Sequence, residues 1–403
     1  MEYTASEVMQ FIQEEDVKFI RLAFCDVYGK QKNISVMPTE LSRAFKEGVL
    51  IDGAATQGFG QQTGTDLLLK PDPSTLAVLP WRPEHGRVVR MFCEMFCADG
   101  KAFECDTRGI LKKAVAAATE KGLSFDFGTE TEFYLFKLDE NGEPTKVPYD
   151  QAGYMDIAPA DKGENVRREI CLTLESMGIT PESSHHEAGP GQNEIDFRHS
   201  DALSAADNAI TFFNVVNVVA ARNGLKVDFG PKPIKSRPGS GMHINFSVSC
   251  KNSDEDPMPY AIAGILDKIQ EITLLLNPSE ESYMRLGTFR APGYVTWSET
   301  NRSQLIRLPR GRADFRFAQL RSPDPSANPY LAYTMLIYAA IYGIENRLAL
   351  PAPTDINLST ADLETLASYK RLPAGKAEAA RTFAESEFVR SCLPQGVIDA
   401  YCK

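Results

Sequence analysis

Apolar and polar positions in the first hundred residues predict one helix followed by short strands. Thr4-Ala-Ser-Glu7 has the spacing of a helix capping box, and the apolar residues after it fall on one helical face. Apolar runs of strand type follow at residues 17–24 and 31–37. Cys97-Ala-Asp-Gly-Lys101 then has the composition of a turn. The pattern predicts a small α+β domain over residues 1–100.

The remaining residues, 101–403, predict a larger domain in which helices alternate with strands. Apolar residues recur at helical intervals in three segments, each ending at Gly, Asn-Gly or Asn-Pro. These segments are 166–177, 203–221 and 262–276. Strand-type patterns lie near residues 124–136, 192–198, 241–248 and 304–321. We therefore expect amphipathic helices that cover one face of an antiparallel sheet, with polar side chains on its other face.

Two carboxylates in Gly128-Thr-Glu-Thr-Glu-Phe-Tyr-Leu-Phe136 are the first sign of chemistry. In a strand, Glu130 and Glu132 point to the same face, because side chains alternate with a period of two. At about 4 Å and an effective dielectric near 20, their repulsion is roughly 4 kcal/mol. Either one carboxylate keeps a proton or a cation lies between them. Alone, however, such a strand is more often a solvated sheet face.

Two further segments carry ligand atoms of the same kind. Ser184-His-His-Glu-Ala-Gly-Pro-Gly-Gln-Asn-Glu-Ile-Asp-Phe-Arg198 has Glu187 and Glu194 on either side of a Gly-Pro-Gly turn that can fold them together. In Gly239-Ser-Gly-Met-His-Ile-Asn-Phe-Ser247, alternation directs His243 and every second residue after it to one face. Four carboxylates and an imidazole suit Mg²⁺ or Mn²⁺, and the scarcity of cysteine nearby argues against zinc.

Composition limits the partners. The chain has 403 residues, more than one hydrophobic core usually supports, so two domains or one large elaborated domain are expected. A formal net charge of −11 argues against nucleic acid or an anionic membrane as partner. The eight cysteines are dispersed with no Cys-x-x-Cys pair, which predicts reduced thiols. Without a basic, apolar leader after Met1, we expect a cytoplasmic location.

The order of these motifs along the chain resembles the glutamine synthetase family. The resemblance extends from the first strand almost to the C-terminus. Besides the segments above, it rests on Phe19-Ile-Arg-Leu-Ala-Phe-Cys-Asp-Val-Tyr-Gly29, Ile51-Asp-Gly53, Trp297-Ser-Glu-Thr-Asn-Arg-Ser303 and Arg321-Ser-Pro-Asp-Pro-Ser-Ala-Asn-Pro-Tyr-Leu331. It implies a β-grasp domain over residues 1–100 and a glutamine synthetase catalytic domain over residues 101–403. The implied activity is an ATP-dependent ligase that uses Mg²⁺ or Mn²⁺.

The resemblance also implies a role for individual residues, in four groups. One metal is held by Glu132, Glu187 and Glu194, and a second by Glu130, His243 and Gln319. Glutamate and its phosphorylated intermediate are bound by Gly239, Arg285, Arg302 and Arg321, of which Arg302 is also counted as catalytic. ATP is contacted by Glu182, Asn245, Ser247 and Arg307. Asp52, supported by Asp66, takes the proton of ammonium in the site of a neighbouring subunit.

Four positions depart from the family pattern. Gln319 replaces a metal-binding glutamate, and its amide still offers a carbonyl oxygen but one negative charge fewer. Arg290 occupies a catalytic position on a flap before Ala-Pro, where the family has a glutamate that accepts ammonium's proton. Pro238 replaces an asparagine and so lacks a backbone N–H, and Asn245 replaces a histidine that contacts phosphate.

Two functions of different class therefore stay open. The first is a ligase that phosphorylates the γ-carboxylate of glutamate and transfers the acyl group to ammonia or a primary amine. The second is a catalytically impaired family member with a binding, regulatory or scaffold role. Since Asp52 would serve a neighbouring subunit, the resemblance also implies a homo-oligomer, a dodecamer of two stacked hexameric rings.

Overall fold

A computed structural model of the chain describes residues 3–60, 66–82, 85–309, 317–358 and 360–403. Within these ranges the predicted α+β class is confirmed, with two sheets and a layer of helices. The N-terminal elements are α1 Ala5–Glu14, β1 Val17–Cys25, β2 Gln31–Val36, α2 Leu41–Glu47, β3 Val49–Asp52, β4 Asp66–Pro71, β5 Ala77–Val78 and β6 Arg87–Cys97.

The first sheet is mixed and begins where the sequence predicts. Its order is β2-β1-β6-β4-β3, with β5 beside β6; β1 and β6 are parallel and the other pairs antiparallel. The predicted capping box precedes it: Thr4 Oγ1 accepts from the Glu7 N–H, and the Glu7 carboxylate accepts from the Thr4 N–H at 2.7 Å. In the described part of this sheet, β3 is an edge strand.

The second part of the chain contains the larger sheet and most of the helices. Its strands are β7 Leu123–Leu138, β8 Pro144–Pro148, β9 Pro181–His186, β10 Gln192–Phe197, β11 Ser200–Asp201, β12 Leu225–Asp228, β13 Met242–Cys250, β14 Trp297–Ser298, β15 Ile306–Arg307 and β16 Ala318–Leu320. Its helices are α3 Thr107–Glu120, α4 Glu164–Ser176, α5 Ala202–Arg222, α6 Met258–Leu276, α7 Glu280–Arg285, α8 Pro329–Glu345, α9 Leu363–Ala367, α10 Lys376–Glu385, α11 Glu387–Cys392 and α12 Gln395–Tyr401.

The long strand β7 is the centre of this sheet. The order is β14-β15-β16-β13-β7-β10-β9, and β8, β11 and β12 also pair with β7. Every pair is antiparallel except β14 with β15. The strand predicted near 304–321 consists of the short strands β15 and β16, while residues 310–316 lie outside the described residues.

The two faces of β7 have opposite character, as its period-two pattern predicts. On one face, Phe127 stacks on Tyr333 of α8 with 4.3 Å between ring centroids, and Phe133 meets Phe212 of α5 edge to face at 6.2 Å. Glu130 and Glu132 project from the other face. The helices therefore bury the aromatic face and leave the acidic face for chemistry.

Helices α4, α5 and α6 confirm the three helical segments predicted from apolar spacing. By length and composition alone, α5 could cross a membrane, and it is the one such helix among the described residues. In this fold 56% of its apolar window is buried, against the aromatic face of β7 and its neighbours. Within the described ranges, the eight cysteines are free thiols, as predicted.

The two ends of the chain share one hydrophobic core. Tyr28 Oη donates to the carbonyl of Ala400 at 2.9 Å, and Tyr401 Oη donates to the carbonyl of Val27 at 3.2 Å. Residues of α12 belong to the same buried cluster as β1 and β6. The N-terminal sheet therefore has a fixed position against the second part of the chain.

We expect Gly264→Ala to destabilise the protein, because α6 and α8 cross in close contact at this residue. An alanine Cβ at 264 would lie 2.2 Å from the Ala339 carbonyl oxygen and 2.7 Å from the Gly343 Cα. Overpacking costs about 1–3 kcal/mol and the helix gains up to about 1 kcal/mol from alanine, so we expect a net loss of roughly 1–2 kcal/mol. Thermal unfolding would measure it. Gly375→Ala, where a Cβ meets nothing within 4 Å, is the matched control; equal midpoints for both variants would contradict the close crossing.

Candidate active site

A cavity of about 250 Å³ opens on the acidic face of the large sheet. Its lining includes four carboxylates, here called the acidic wall, and four guanidinium groups, here called the basic wall. The acids are Glu130, Glu132, Glu187 and Glu194, and the arginines are Arg285, Arg290, Arg302 and Arg321. Gly239 and His243 also line it. The structure thus brings together all the predicted metal-binding residues except Gln319, which lies just behind the lining, and all the predicted glutamate-binding residues.

The strand register explains how distant acids meet. Glu194 of β10 lies directly opposite Glu132 of β7, and His185 of β9 lies opposite Glu194. Glu187 follows β9, and its N–H donates to the Gln192 carbonyl at 2.8 Å across the Gly-Pro-Gly turn. That turn folds the two acids of this segment towards the same cavity.

Burial and mutual repulsion change the proton affinity of these acids. Burial first, and the charge of Glu187 second, raise the pKa of Glu132 to about 7. Burial and the charge of Glu132 raise the pKa of Glu194 well above its usual range. Burial and the charge of Glu130 raise the pKa of Asp196 to about 7. Without a cation, the cluster therefore retains protons near neutral pH.

Glu130 behaves differently. Burial disfavours its charge, but hydrogen bonds from His243 and Asn245 outweigh burial and bring its pKa down to about 2. Burial and the charge of Arg321 lower the pKa of His243 to about 4, so its imidazole is neutral at pH 7. A neutral imidazole is the form that binds a metal.

Glu132 is oriented by two donors from neighbouring segments. One carboxylate oxygen accepts from the Gln192 amide at 3.1 Å and from the Gly241 N–H at 3.0 Å. A Cβ at Gly241 would lie 2.6 Å from Nη2 of Arg285, and one at Gly239 would lie 2.3 Å from the Pro231 carbonyl oxygen. These two glycines allow the loop to pass between the acidic and basic walls.

Some arginines of the basic wall already form hydrogen bonds within the protein. Arg285 is 3% exposed and donates to the carbonyls of Ser322 at 2.7 Å and Arg321 at 3.1 Å. Arg321 is also buried, and its Nε has no hydrogen-bond partner among the residues that the structure describes. Arg290 and Arg302 are exposed and, within the described ranges, make no hydrogen bond or ion pair. The last two are therefore free to bind an anion.

The acid cluster offers the ligand types that a hard divalent cation prefers. Glu132, Glu187 and Glu194 supply carboxylate oxygens, which Mg²⁺ and Mn²⁺ prefer. His185 adds a nitrogen, and one atom each from His185, Glu187 and Glu194 lies within 4.8 Å of the others. The expected contribution of Gln319 differs, because its amide nitrogen, and not its oxygen, faces Glu130, at 2.7 Å.

Other predicted residues lie outside this cavity. Asp52 caps a short turn by accepting from the Ala54 N–H at 2.9 Å, and it pairs with Asp66 across β3 and β4. The expected ATP contacts lie further along the same strands or on the neighbouring ones. They are Glu182 on β9, Asn245 and Ser247 on β13, and Arg307 on β15.

Sequence reasoning missed three residues at the site. His185 and Asp196 belong to the same segment as Glu187 and Glu194, and each is two positions from one of those acids, so strand alternation could have identified both. Tyr154 lines the cavity and meets the His185 ring edge to face at 5.5 Å. Tyr154 lies in an irregular segment with no periodic pattern, so no comparable signal was available for it.

Comparison with known proteins agrees with this geometry. The family model for "Glutamine synthetase, beta-Grasp domain" matches residues 16–98, and that for "Glutamine synthetase, catalytic domain" matches residues 104–403. The chain belongs to the glutamine synthetase family. The glutamine synthetase of Methanosarcina mazei is 42% identical over 99% of this chain and 92% of its own. That of Clostridium saccharobutylicum is 40% identical over 99% and 93%.

Solved structures also resemble this member of the glutamine synthetase family. A structure entitled "GmaS/ADP complex-Conformation 1" superimposes with a TM-score of 0.88 and 26% identity, covering 100% of this chain and 94% of that one. "Apo GmaS without ligand" gives 0.87 and 26%, covering 98% and 94%. The N-terminal β-grasp domain and the catalytic domain of the predicted fold are therefore confirmed, and use of ATP and a divalent metal is general in the family.

We expect divalent cation binding to strengthen as the pH rises. The raised pKa of Glu132, about 7, means that a cation must displace a proton at pH 6 but hardly any at pH 8. One such group gives about a tenfold gain in affinity between these values. Calorimetry with Mn²⁺ in buffers of different ionisation enthalpy would report both the affinity and the released proton.

Two variants test whether Glu132 causes this pH dependence of cation binding. Glu132→Ala should abolish tight binding, because two remaining carboxylates satisfy a cation poorly. Glu140→Ala, at an exposed glutamate outside the cavity, should bind like the parent. Undiminished affinity in Glu132→Ala, or a flat pH dependence, would remove Glu132 from the cation site.

Proposed function

We propose that this protein is an ATP-dependent ligase that activates the γ-carboxylate of glutamate and joins it to an amine. The observation that carries the proposal is that carboxylates and guanidinium groups line one cavity together. ATP-dependent amide formation needs both, since a cation must neutralise phosphates and fixed positive groups must stabilise the transferred phosphoryl group. The named relatives support the same reaction class.

The chemistry has two steps. A γ-carboxylate oxygen attacks the terminal phosphorus of ATP, which forms γ-glutamyl phosphate and releases ADP. The amine nitrogen then attacks the γ-carbonyl carbon, the C–N bond forms, the C–O bond to phosphate breaks, and the nitrogen loses a proton. When bound at the acid cluster, a divalent cation neutralises charge on the phosphate oxygens.

The protein's own groups would act in both steps. Arg302 and Arg321 are suited to the carboxylate and phosphate oxygens, because a guanidinium pairs two oxygens at once. Arg285 is suited to holding the segment that carries Arg321, since it donates to the Arg321 and Ser322 carbonyls. His243 is neutral and is suited to act as a ligand or a hydrogen-bond partner, and it does not add positive charge.

Arg290 favours an acceptor other than ammonium. It lines the cavity, within the described ranges it has no acidic partner, and it follows Phe289, whose φ of 53° is unusual for a bulky residue. At about 4 Å and an effective dielectric of 20, a guanidinium repels ammonium by roughly 4 kcal/mol. A primary amine that carries a carboxylate or sulfonate would instead pair with it. We propose an acceptor of that class.

The alternative of a catalytically impaired family member is not supported by the comparisons. It rests on four substitutions, but the carboxylate trio and the four arginines lie around one cavity, and the similar proteins named above are glutamine synthetases. Phosphate release separates the two functions. An impaired protein would bind ATP and release no phosphate with any amine.

The acceptor class can be tested with an amine panel. We expect glutamate-dependent phosphate release from ATP to be faster with glycine, β-alanine or taurine than with ammonia or methylamine, in Mg²⁺ or Mn²⁺. Arg290→Glu should reverse the preference and raise ammonia-dependent ligation at least tenfold, a modest part of the roughly thousandfold that about 4 kcal/mol represents. Arg381→Glu, an exposed arginine of α10, is the matched control.

Two outcomes would count against this assignment. If the parent makes glutamine briskly and Arg290→Glu leaves the rate unchanged, Arg290 points away from the reacting amine. If neither protein releases phosphate with any amine while both bind ATP, the impaired alternative is favoured.

We also propose that the active protein is a homo-oligomer of stacked rings with sites shared between subunits. Asp52 lies outside the cavity of its own chain, and it faces another acid, Asp66, across a strand pair, which is unfavourable without a partner. Phe19 and Leu50 of the same sheet are about half exposed, at 47% and 55%. A second subunit packed on this sheet would explain both features.

The assembly has a mass and a complementation pattern that can be measured. Light scattering at micromolar concentration should give a mass far above the 44.6 kDa chain. Asp52→Asn and Glu132→Ala should each be inactive, and random co-assembly in equal amounts should restore about one quarter of the sites. A monomeric mass, or no recovery in mixed assemblies of normal size, would contradict a shared site.

A further inference from the structure

The charge of Glu130 is compensated in a different way from the charges of the other acids. Its Oε1 accepts hydrogen bonds from Nδ2 of Asn245 at 2.9 Å and from Nε2 of Gln319 at 2.7 Å. Its Oε2 lies 3.4 Å from Nδ1 of His243. Two neutral amides therefore stabilise this carboxylate from one side.

The orientation of the Gln319 amide follows from its other neighbour. Nη1 of Arg321 lies 2.6 Å from the outer end of the Gln319 side chain. A guanidinium can only donate, so the atom it meets must be the amide oxygen. The NH₂ group must then face Glu130. The donor-only guanidinium therefore decides the orientation of the amide.

This arrangement does not fit the second divalent cation that family membership implies beside Glu130. A cation there needs oxygen lone pairs from Glu130 and residue 319 together with the His243 imidazole. The oxygen of Gln319 is bound to Arg321, and one oxygen of Glu130 already accepts two N–H groups. Of the three described residues Glu130, His243 and Gln319, only the second oxygen of Glu130 and the imidazole remain available to a cation.

Reorientation would be costly. If Gln319 turned its oxygen to a cation, its NH₂ group would face Arg321, donor against donor, in a place where both residues are buried, at 2% and 6% exposed. In the described part of the chain, Nε of Arg321 already lacks a hydrogen-bond partner. In addition, the charges of Glu130 and Arg321 cancel, and Asn245 and Gln319 are neutral. A cation added to these four side chains would therefore give them a net positive charge.

Neighbouring acids do not replace the lost ligand. Glu194 and Asp196 lie within 4.8 Å of Glu130, measured between single oxygens of each. However, Glu194 belongs to the trio with Glu132 and Glu187. Asp196 accepts a hydrogen bond from Ser183 on one oxygen, and its other oxygen has no hydrogen-bond partner among the described residues. That one oxygen, without an oxygen from residue 319, leaves the ligand set beside Glu130 incomplete for a hard cation.

We infer that this protein holds one resident divalent cation per chain, at Glu132, Glu187 and Glu194. In place of a second cation, Asn245 and Gln319 donate hydrogen bonds to Glu130, and Arg321 donates to Gln319, so that these three side chains stabilise the charge of Glu130. The inference concerns cation binding and not turnover, so it can fail while the ligase function stands, and the reverse.

The test is a titration of the intact oligomer with Mn²⁺ without nucleotide, following free Mn²⁺ by electron paramagnetic resonance. The parent should bind one Mn²⁺ tightly per chain, without the line broadening that two adjacent ions cause. Gln319→Glu, which keeps the shape and restores an anionic ligand, should bind a second Mn²⁺ at least tenfold more tightly than the parent and show broadening. Gln395→Glu, at an exposed glutamine of α12, should behave as the parent.

Several outcomes would overturn the inference. Two tightly bound, spin-coupled Mn²⁺ ions in the parent would show that the amides yield to a cation. A Gln319→Glu oligomer of normal mass that still binds one ion would show that Gln319 does not exclude the second. Asn245→His provides a further variant: it removes one amide donor from Glu130, and it should also strengthen the second site.

Discussion

Repulsion among carboxylates on one sheet face is the constraint on which the rest of the site depends. The antiparallel register of β7 and β10 sets Glu132 opposite Glu194, and the turn after β9 adds Glu187. The strands cannot move apart to relieve the repulsion, because their other face is packed against α5 and α8. The charge must therefore be met by protons, by a cation or by arginines. The raised pKa of Glu132 and the facing guanidinium groups show two of these solutions.

The basic wall has its own support. Arg285 donates hydrogen bonds to the carbonyls of Arg321 and Ser322, so its main structural effect is to fix the backbone that carries Arg321. Gly239 and Gly241 leave the room that this buried guanidinium needs. A substitution at either glycine would thus alter both walls, since the Gly241 N–H also holds Glu132. The positions of the acidic wall and the basic wall therefore depend on the same loop.

The sequence was sufficient for the fold and for most of the cavity, because both follow from short-range rules. Strand alternation assigns Glu130 and Glu132 to one face, and apolar spacing assigns α4, α5 and α6. It was insufficient where function depends on how two side chains orient each other. The side chain of Gln319 has an amide oxygen that could bind a metal. Its contact with Arg321, which the sequence does not reveal, turns that oxygen away from Glu130. The unpatterned segment that carries Tyr154 gave no signal at all.

The contact between the two ends of the chain has a consequence for biosynthesis. Tyr28 and Ala400 are hydrogen-bonded although 372 positions separate them, and α12 contributes to the core under β1. The N-terminal sheet cannot complete that core until α12 has been synthesised and has left the ribosome. Until then, part of its apolar surface stays exposed on the nascent chain, where it can associate with other exposed apolar surfaces.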